Sequence, residues 1–250
     1  MDSGGPHGIM RVRNGSRAAA AKAPMQEIKD CTALRQQLQD IGCVLDFSVF
    51  ALDGEDGTAA ATHRAAAVQT LHVLQRDSDA YFERVLSLPE YAARQRGEFF
   101  RMSIDAAALG EGEQLDTAEF LGPLCDPARD ALLLRGEENP NRDDLFWYGD
   151  AESGANRVRA PELHGDGGLA YAYLHPPYNL YADNATRNSL FFGLLDQLLG
   201  GQRGDYVIWR WSAASSNYFD AGREWWGTYF WTVHPRGTRR IVGITASATD

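Results

Sequence analysis

Only three cysteines occur in 250 residues, Cys31, Cys43 and Cys125, and they are widely spaced. An odd, scattered set excludes a disulfide framework and a thiolate metal site. Long apolar runs are missing too. The longest purely apolar stretches span a few residues, too short to cross a bilayer. The N-terminus has no apolar stretch of the signal-peptide kind, so a cytoplasmic protein is expected. No Gly-rich loop fits a dinucleotide or P-loop pattern, and Ser215 and Ser216 lie outside a GxSxG elbow. No motif names a cofactor.

Positive charge is scarce. Lys and Arg total 24 against 34 Asp and Glu, a net charge of −10. Residues 1–24 carry +3, residues 25–204 carry −14 and residues 205–250 carry +1. Wrapping a nucleic-acid backbone needs concentrated positive potential, so a nucleic-acid partner is excluded. Hydrophobic content of 44 % and charged content of 23 % are ordinary for a globular protein.

Aromatic residues are abundant and unevenly placed. Residues 206–231 hold ten aromatic side chains and five of the six tryptophans. Such rings must form a core, a ligand-binding wall or a partner surface. Strand periodicity divides them. Val207, Trp209 and Trp211 point one way, with Tyr206, Ile208 and Arg210 the other. Trp225, Tyr229, Trp231 and Val233 share one face of the next strand, opposite Trp226 and Phe230. Large rings on both faces call for two-sided packing, one side against a helix. The other side meets the N-terminal helices, lines a groove or meets another subunit.

The fold class expected is α+β, with a C-terminal antiparallel sheet of at least four strands packed on amphipathic helices. Residues 1–23, rich in Gly, Ala and Arg, read as a disordered tail. Residues 24–250 read as one domain, with a possible internal boundary near 135–145, where RGEENPNRDD has no apolar residue. A helix is expected from Pro24 to Ile41. A strand is expected over 43–52, with Leu45, Phe47 and Val49 inward and Asp46 facing solvent or a cleft. Largely helical structure is expected over 60–96, and a strand is expected near Phe99–Ile104. Leu132, Leu133 and Leu134 are assigned to a short helix, and LAYAYL at 169–174 to a strand ending at His175-Pro176-Pro177. The strongest helix covers 185–199, capped by Asp183 or Asn184 and stopped by Gly200-Gly201. YVIWRW, WGTYFWTV and RIVGITAS follow as strands, the last two joined as a hairpin through HPRG.

The turn DGEDGT at 53–58 fails as a Ca²⁺ loop, because position twelve from Asp53 is Arg64 instead of a closing Glu. It reads as an exposed turn, and no metal site is assigned. Two polar loops remain. In 212–224, one helical turn would place Asp220 and Glu224 on the same face, a carboxylate pair suited to acid–base work. Asn217, Tyr218 and Arg223 flank it as ligand-binding groups. In 175–184, His175 is a base whose second nitrogen Asp183 or Asp220 would orient, with Tyr178 and Asn179 beside it. If the loops adjoin, they form a cleft for a small polar molecule. The alternatives are an acidic, immunity-like module for a basic protein partner, or a structural subunit whose aromatic face makes a homodimer.

Overall fold

A computed structural model of the protein describes residues 25–91, 93–137, 144–152, 155–159, 167–201, 203–224 and 226–248. The expected tail and most of the 135–145 stretch lie outside those residues. In chain order the elements are β1 (Glu27–Ile28), α1 (Thr32–Asp40), β2 (Leu45–Ala51), α2 (Ala60–Leu86), β3 (Glu113–Leu115) and α3 (Thr117–Leu121). There follow β4 (Cys125–Asp126), β5 (Ala131–Arg135), β6 (Asp144–Trp147), β7 (Val158–Arg159), α4 (Gly168–Leu174) and α5 (Asn184–Leu199). The chain closes with β8 (Tyr206–Arg210), β9 (Thr228–Pro235) and β10 (Arg240–Ser247). Among the described residues, five α-helices accompany two antiparallel sheets, the expected α+β class. The larger sheet runs β1-β2-β10-β9-β8-β3 and the smaller β4-β5-β6-β7. Strands from both sides of the polar 135–144 stretch share the larger sheet, as β2 with β10 and β3 with β8.

The aromatic strands sit at the centre of the larger sheet, and alternation sorts their side chains. Tyr229, Trp231 and Val233 of β9 align with Ala246, Ile244 and Val242 of β10, and these with Leu45, Phe47 and Val49 of β2. That face packs against α5 through Phe191, Leu194, Leu195 and Leu198, together with α3 and α4. The opposite face carries Phe230, Trp211 and Ile241, and α2 covers it with Ala66, Ala67 and Leu71. The expected two-sided packing is therefore present, but Trp226, expected on the Phe230 face, lies ahead of β9 and packs against Tyr229 with ring centroids 5.4 Å apart; Trp225 lies outside the described residues. Gly243 allows the close approach of α2, since a Cβ there would stand 1.8 Å from Thr70 Oγ1.

Four local expectations are corrected. The helix does not begin at Pro24. Glu27 and Ile28 first pair with Phe50 and Val49, and α1 starts at Thr32. LAYAYL is α4, and Leu132–Leu134 belong to β5. Both runs are buried on all sides, so neither has a polar face to report its period. Glycine packing favours the α4 helix: Gly168 has φ +68°, and a Cβ on Gly122 would meet Gly167 O at 2.1 Å. Finally, Glu98–Phe100 is a 3₁₀ turn, and Ile104 makes a single bridge to Ser216. The 60–96 region holds one helix, α2, which ends ahead of Pro89. Asp183 caps α5 as expected, its Oδ1 accepting from Thr186 N at 2.7 Å.

Candidate functional site

A cavity of about 440 Å³ opens beside β2. Its position follows from strand lengths. Among the described residues, β1 pairs only with Val49 and Phe50, and no strand adjoins the outer edge of β2 at Leu45–Ser48. Asp46 and Ser48 project from β2 toward α2, two residues apart and on one face. They form the floor. Val73, Leu74, Asp77, Ser78 and Tyr81 recur at helical spacing along α2 and form one wall. Phe100, Arg101 and Met102, with Asn217 and Tyr218, form the other; Arg35 reaches in from α1.

Each polar group on the floor has a defined environment. Tyr218 donates its hydroxyl to Asp46 Oδ2 at 2.9 Å. Among the described residues no donor reaches Asp46 Oδ1, and no hydrogen bond involves Ser48 Oγ, although Ser48 is only 2 % exposed. Burial raises the Asp46 carboxyl above its ordinary pKa; the Tyr218 hydroxyl and Arg35 oppose this, and Asp77 adds to it. Tyr218 is held well above the ordinary phenol range by burial and then by the Asp46 carboxylate, so it stays protonated and donates. Arg35 donates to Phe47 O at 2.7 Å, and its guanidinium stands 4.3 Å from the Phe47 ring centroid. It therefore caps the open strand edge. Arg101 is held by its backbone: Asn217 Nδ2 donates to Arg101 O at 2.9 Å, and Asn217 Oδ1 accepts from Ser103 N at 2.8 Å. Ser216 Oγ donates to Ser103 O at 2.7 Å and fixes the same wall.

Of the residues singled out in the sequence, Asn217 and Tyr218 meet in this cavity. Asn217 uses both ends of its amide to position the wall, whereas Tyr218 touches the floor directly. Asp220 and Glu224 do not pair. Their segment forms 3₁₀ turns, Asn217–Phe219 and Ala221–Glu224, in which residues three apart come together. Asp220 accordingly meets Arg223 at 3.2 Å, both exposed at the surface.

The 175–184 loop lies elsewhere. α4 and its His175 end pack on the Tyr229 face of the sheet, whereas Tyr218 and Phe219 pack on the Phe230 face. His175 lies tilted against Tyr171, with ring centroids 5.2 Å apart and planes at 39°. Burial pushes its pKa down to about 4, with Arg135 and Arg187 adding to the effect. His175 and Asn179 line a separate cavity of about 50 Å³, far below the ~300–1,000 Å³ of ordinary ligand pockets. Asn179 holds φ +63°, a conformation its short polar side chain tolerates. Tyr178 is exposed, and Asp183 is spent on its cap. Among the described residues no hydrogen bond joins His175 to Asp183 or Asp220, and packing on opposite faces of the sheet keeps His175 apart from Tyr218.

No cluster of three or more His, Cys, Asp or Glu among the described residues is placed to hold a metal ion. Asp56, in the turn tested above as a Ca²⁺ loop, accepts from Thr58 N at 2.8 Å and Thr58 Oγ1 at 2.7 Å. No described helix is long and apolar enough to cross a membrane. Comparison with protein-family models, curated proteins and solved structures finds no match. The sequence signal that found part of the cavity was Asp46, a charge interrupting an apolar strand. Ser48, Arg35, Asp77, Tyr81 and Arg101 carried no pattern of their own.

Proposed function

We propose that the protein binds a small polar molecule in the cavity over Asp46 and Ser48. The site retains Asn217 and Tyr218 from the sequence reading and moves the remainder of the site to β2 and α2. One observation carries the reading: Asp46 Oδ1 and Ser48 Oγ have no hydrogen-bond partner among the described residues and face a cavity of about 440 Å³. Both acceptors open onto the cavity, so a ligand there can take their hydrogen bonds in place of water. Apolar contacts from Val73, Leu74 and Met102 supply the rest of the wall.

The test is a binding screen on the intact chain against amines, amino acids, nucleosides and monosaccharides. Ligand-observed NMR provides the readout, with Ser48→Phe as a blocked control. At least one class binds the wild type and loses binding in Ser48→Phe, while near-UV circular dichroism shows the variant folded. Failure of every class, or equal binding to the blocked chain, rejects the reading.

A further inference from the structure

Resting on that cleft, we infer that its ligand is a protonated primary amine on an apolar or aromatic body, with the ammonium facing Asp46 Oδ1 and Ser48 Oγ. The charge argument starts from what surrounds Asp46. Arg35 from α1 does not form an ion pair with it; the guanidinium is committed to Phe47 O and stacked on the Phe47 ring. Asp77 from α2 adds a second carboxylate at the cavity and is paired at 2.8 Å with Arg76. Tyr218 satisfies Oδ2 and leaves Oδ1 as an acceptor. Thr245, opposite Asp46 on β10, is uncharged, and Arg101 stands exposed on the rim. The deep end of the cleft thus presents a carboxylate that, among the described residues, has no direct ion pair and feels Arg35 only through space.

A neutral ligand leaves Asp46 Oδ1 without a direct ion pair, and an anion at the floor meets the Asp46 carboxylate head-on. An ammonium provides three donors and a charge, and matches both free acceptors. A bare divalent cation fits poorly, because it requires more oxygen ligands than this floor offers. The apolar walls and the exposed rings of Tyr81 and Phe100 suit the body of an organic cation.

Calorimetry with phenethylamine, 2-phenylethanol and phenylacetate, three probes of similar size and different charge, tests the inference on the intact protein. Phenethylamine binds at least about tenfold more tightly than 2-phenylethanol, the increment of a charge-assisted hydrogen bond. Asp46→Asn, confirmed folded by near-UV circular dichroism, brings that ratio to about one. A second measurement needs no variant. Lowering the pH through the Asp46 titration weakens phenethylamine binding and leaves 2-phenylethanol unchanged, since the amine stays protonated throughout. Equal binding of amine and alcohol to the wild type overturns the cation assignment while leaving the cleft standing. An amine preference that survives Asp46→Asn, or tighter binding of phenylacetate, also overturns it. No binding of phenethylamine overturns it as well, and the wider screen with Ser48→Phe then shows whether the cleft reading falls too.

Discussion

His63 lies at 0 % exposure beneath α2 and turns acidification into a defined loss of stability. Its Nε2 is 2.9 Å from Gly57 O, which can only accept, so Nε2 carries the ring hydrogen. Nδ1, 2.8 Å from Thr232 Oγ1, then accepts from that hydroxyl, which itself accepts from Trp211 Nε1 at 2.9 Å. A proton on Nδ1 aims two N–H groups at the Thr232 oxygen and deprives its hydrogen of an acceptor. Burial is the largest cause of the depressed pKa, pushed from 6.5 to about 4. A histidine depressed in the folded state favours folding above its unfolded pKa and loses that contribution as pH falls. The whole shift corresponds to about 3 kcal/mol, of which about 2 kcal/mol is lost between pH 7.5 and pH 5. His175 is depressed in the same direction, whereas Asp46, raised by burial, acts with the opposite sign. The His63-specific part is therefore isolated by comparing wild type with His63→Gln, which retains a donor and does not titrate in this range. Urea unfolding at pH 7.5, 6 and 5 measures both chains. The wild type loses about 2 kcal/mol more than His63→Gln between the extremes. Parallel losses in the two chains refute the buried neutral histidine.

Two further substitutions probe the packing that holds the cleft. Gly243→Ala drives its Cβ into Thr70 and lowers stability by about 1–3 kcal/mol in urea unfolding, and adding Thr70→Ala recovers part of that loss. Asn188 ties α5 to the smaller sheet, accepting from Leu132 N at 2.8 Å and donating to Asp130 O at 2.9 Å. Asn188→Leu strands a buried backbone donor at a cost of about 1–3 kcal/mol, and amide exchange at Leu132 accelerates.

What the sequence revealed followed periodicity. β2, α5 and the three C-terminal strands each alternate or recur clearly, and the division of aromatic rings between two sheet faces came directly from that alternation. α4 and β5 were misread because a uniformly buried run carries no period. The functional reading failed at a different level. Asp220 and Glu224 lost their pairing to 3₁₀ geometry, and His175 lies across the sheet from Tyr218. The cavity is built from α1, β2, α2, the 98–102 segment and 217–218, brought together by the β2–β10 pairing. No local window of sequence encodes a juxtaposition of residues as distant as Arg35 and Tyr218.

The brevity of β1 has a further consequence. A sheet margin without a partner invites another chain to add a strand, and proteins blunt such margins with charged side chains. Here Arg35 occupies the Phe47 carbonyl that an incoming strand would use. The side chain that covers this edge carbonyl also lines the neighbouring cavity, so one residue shapes both features of β2.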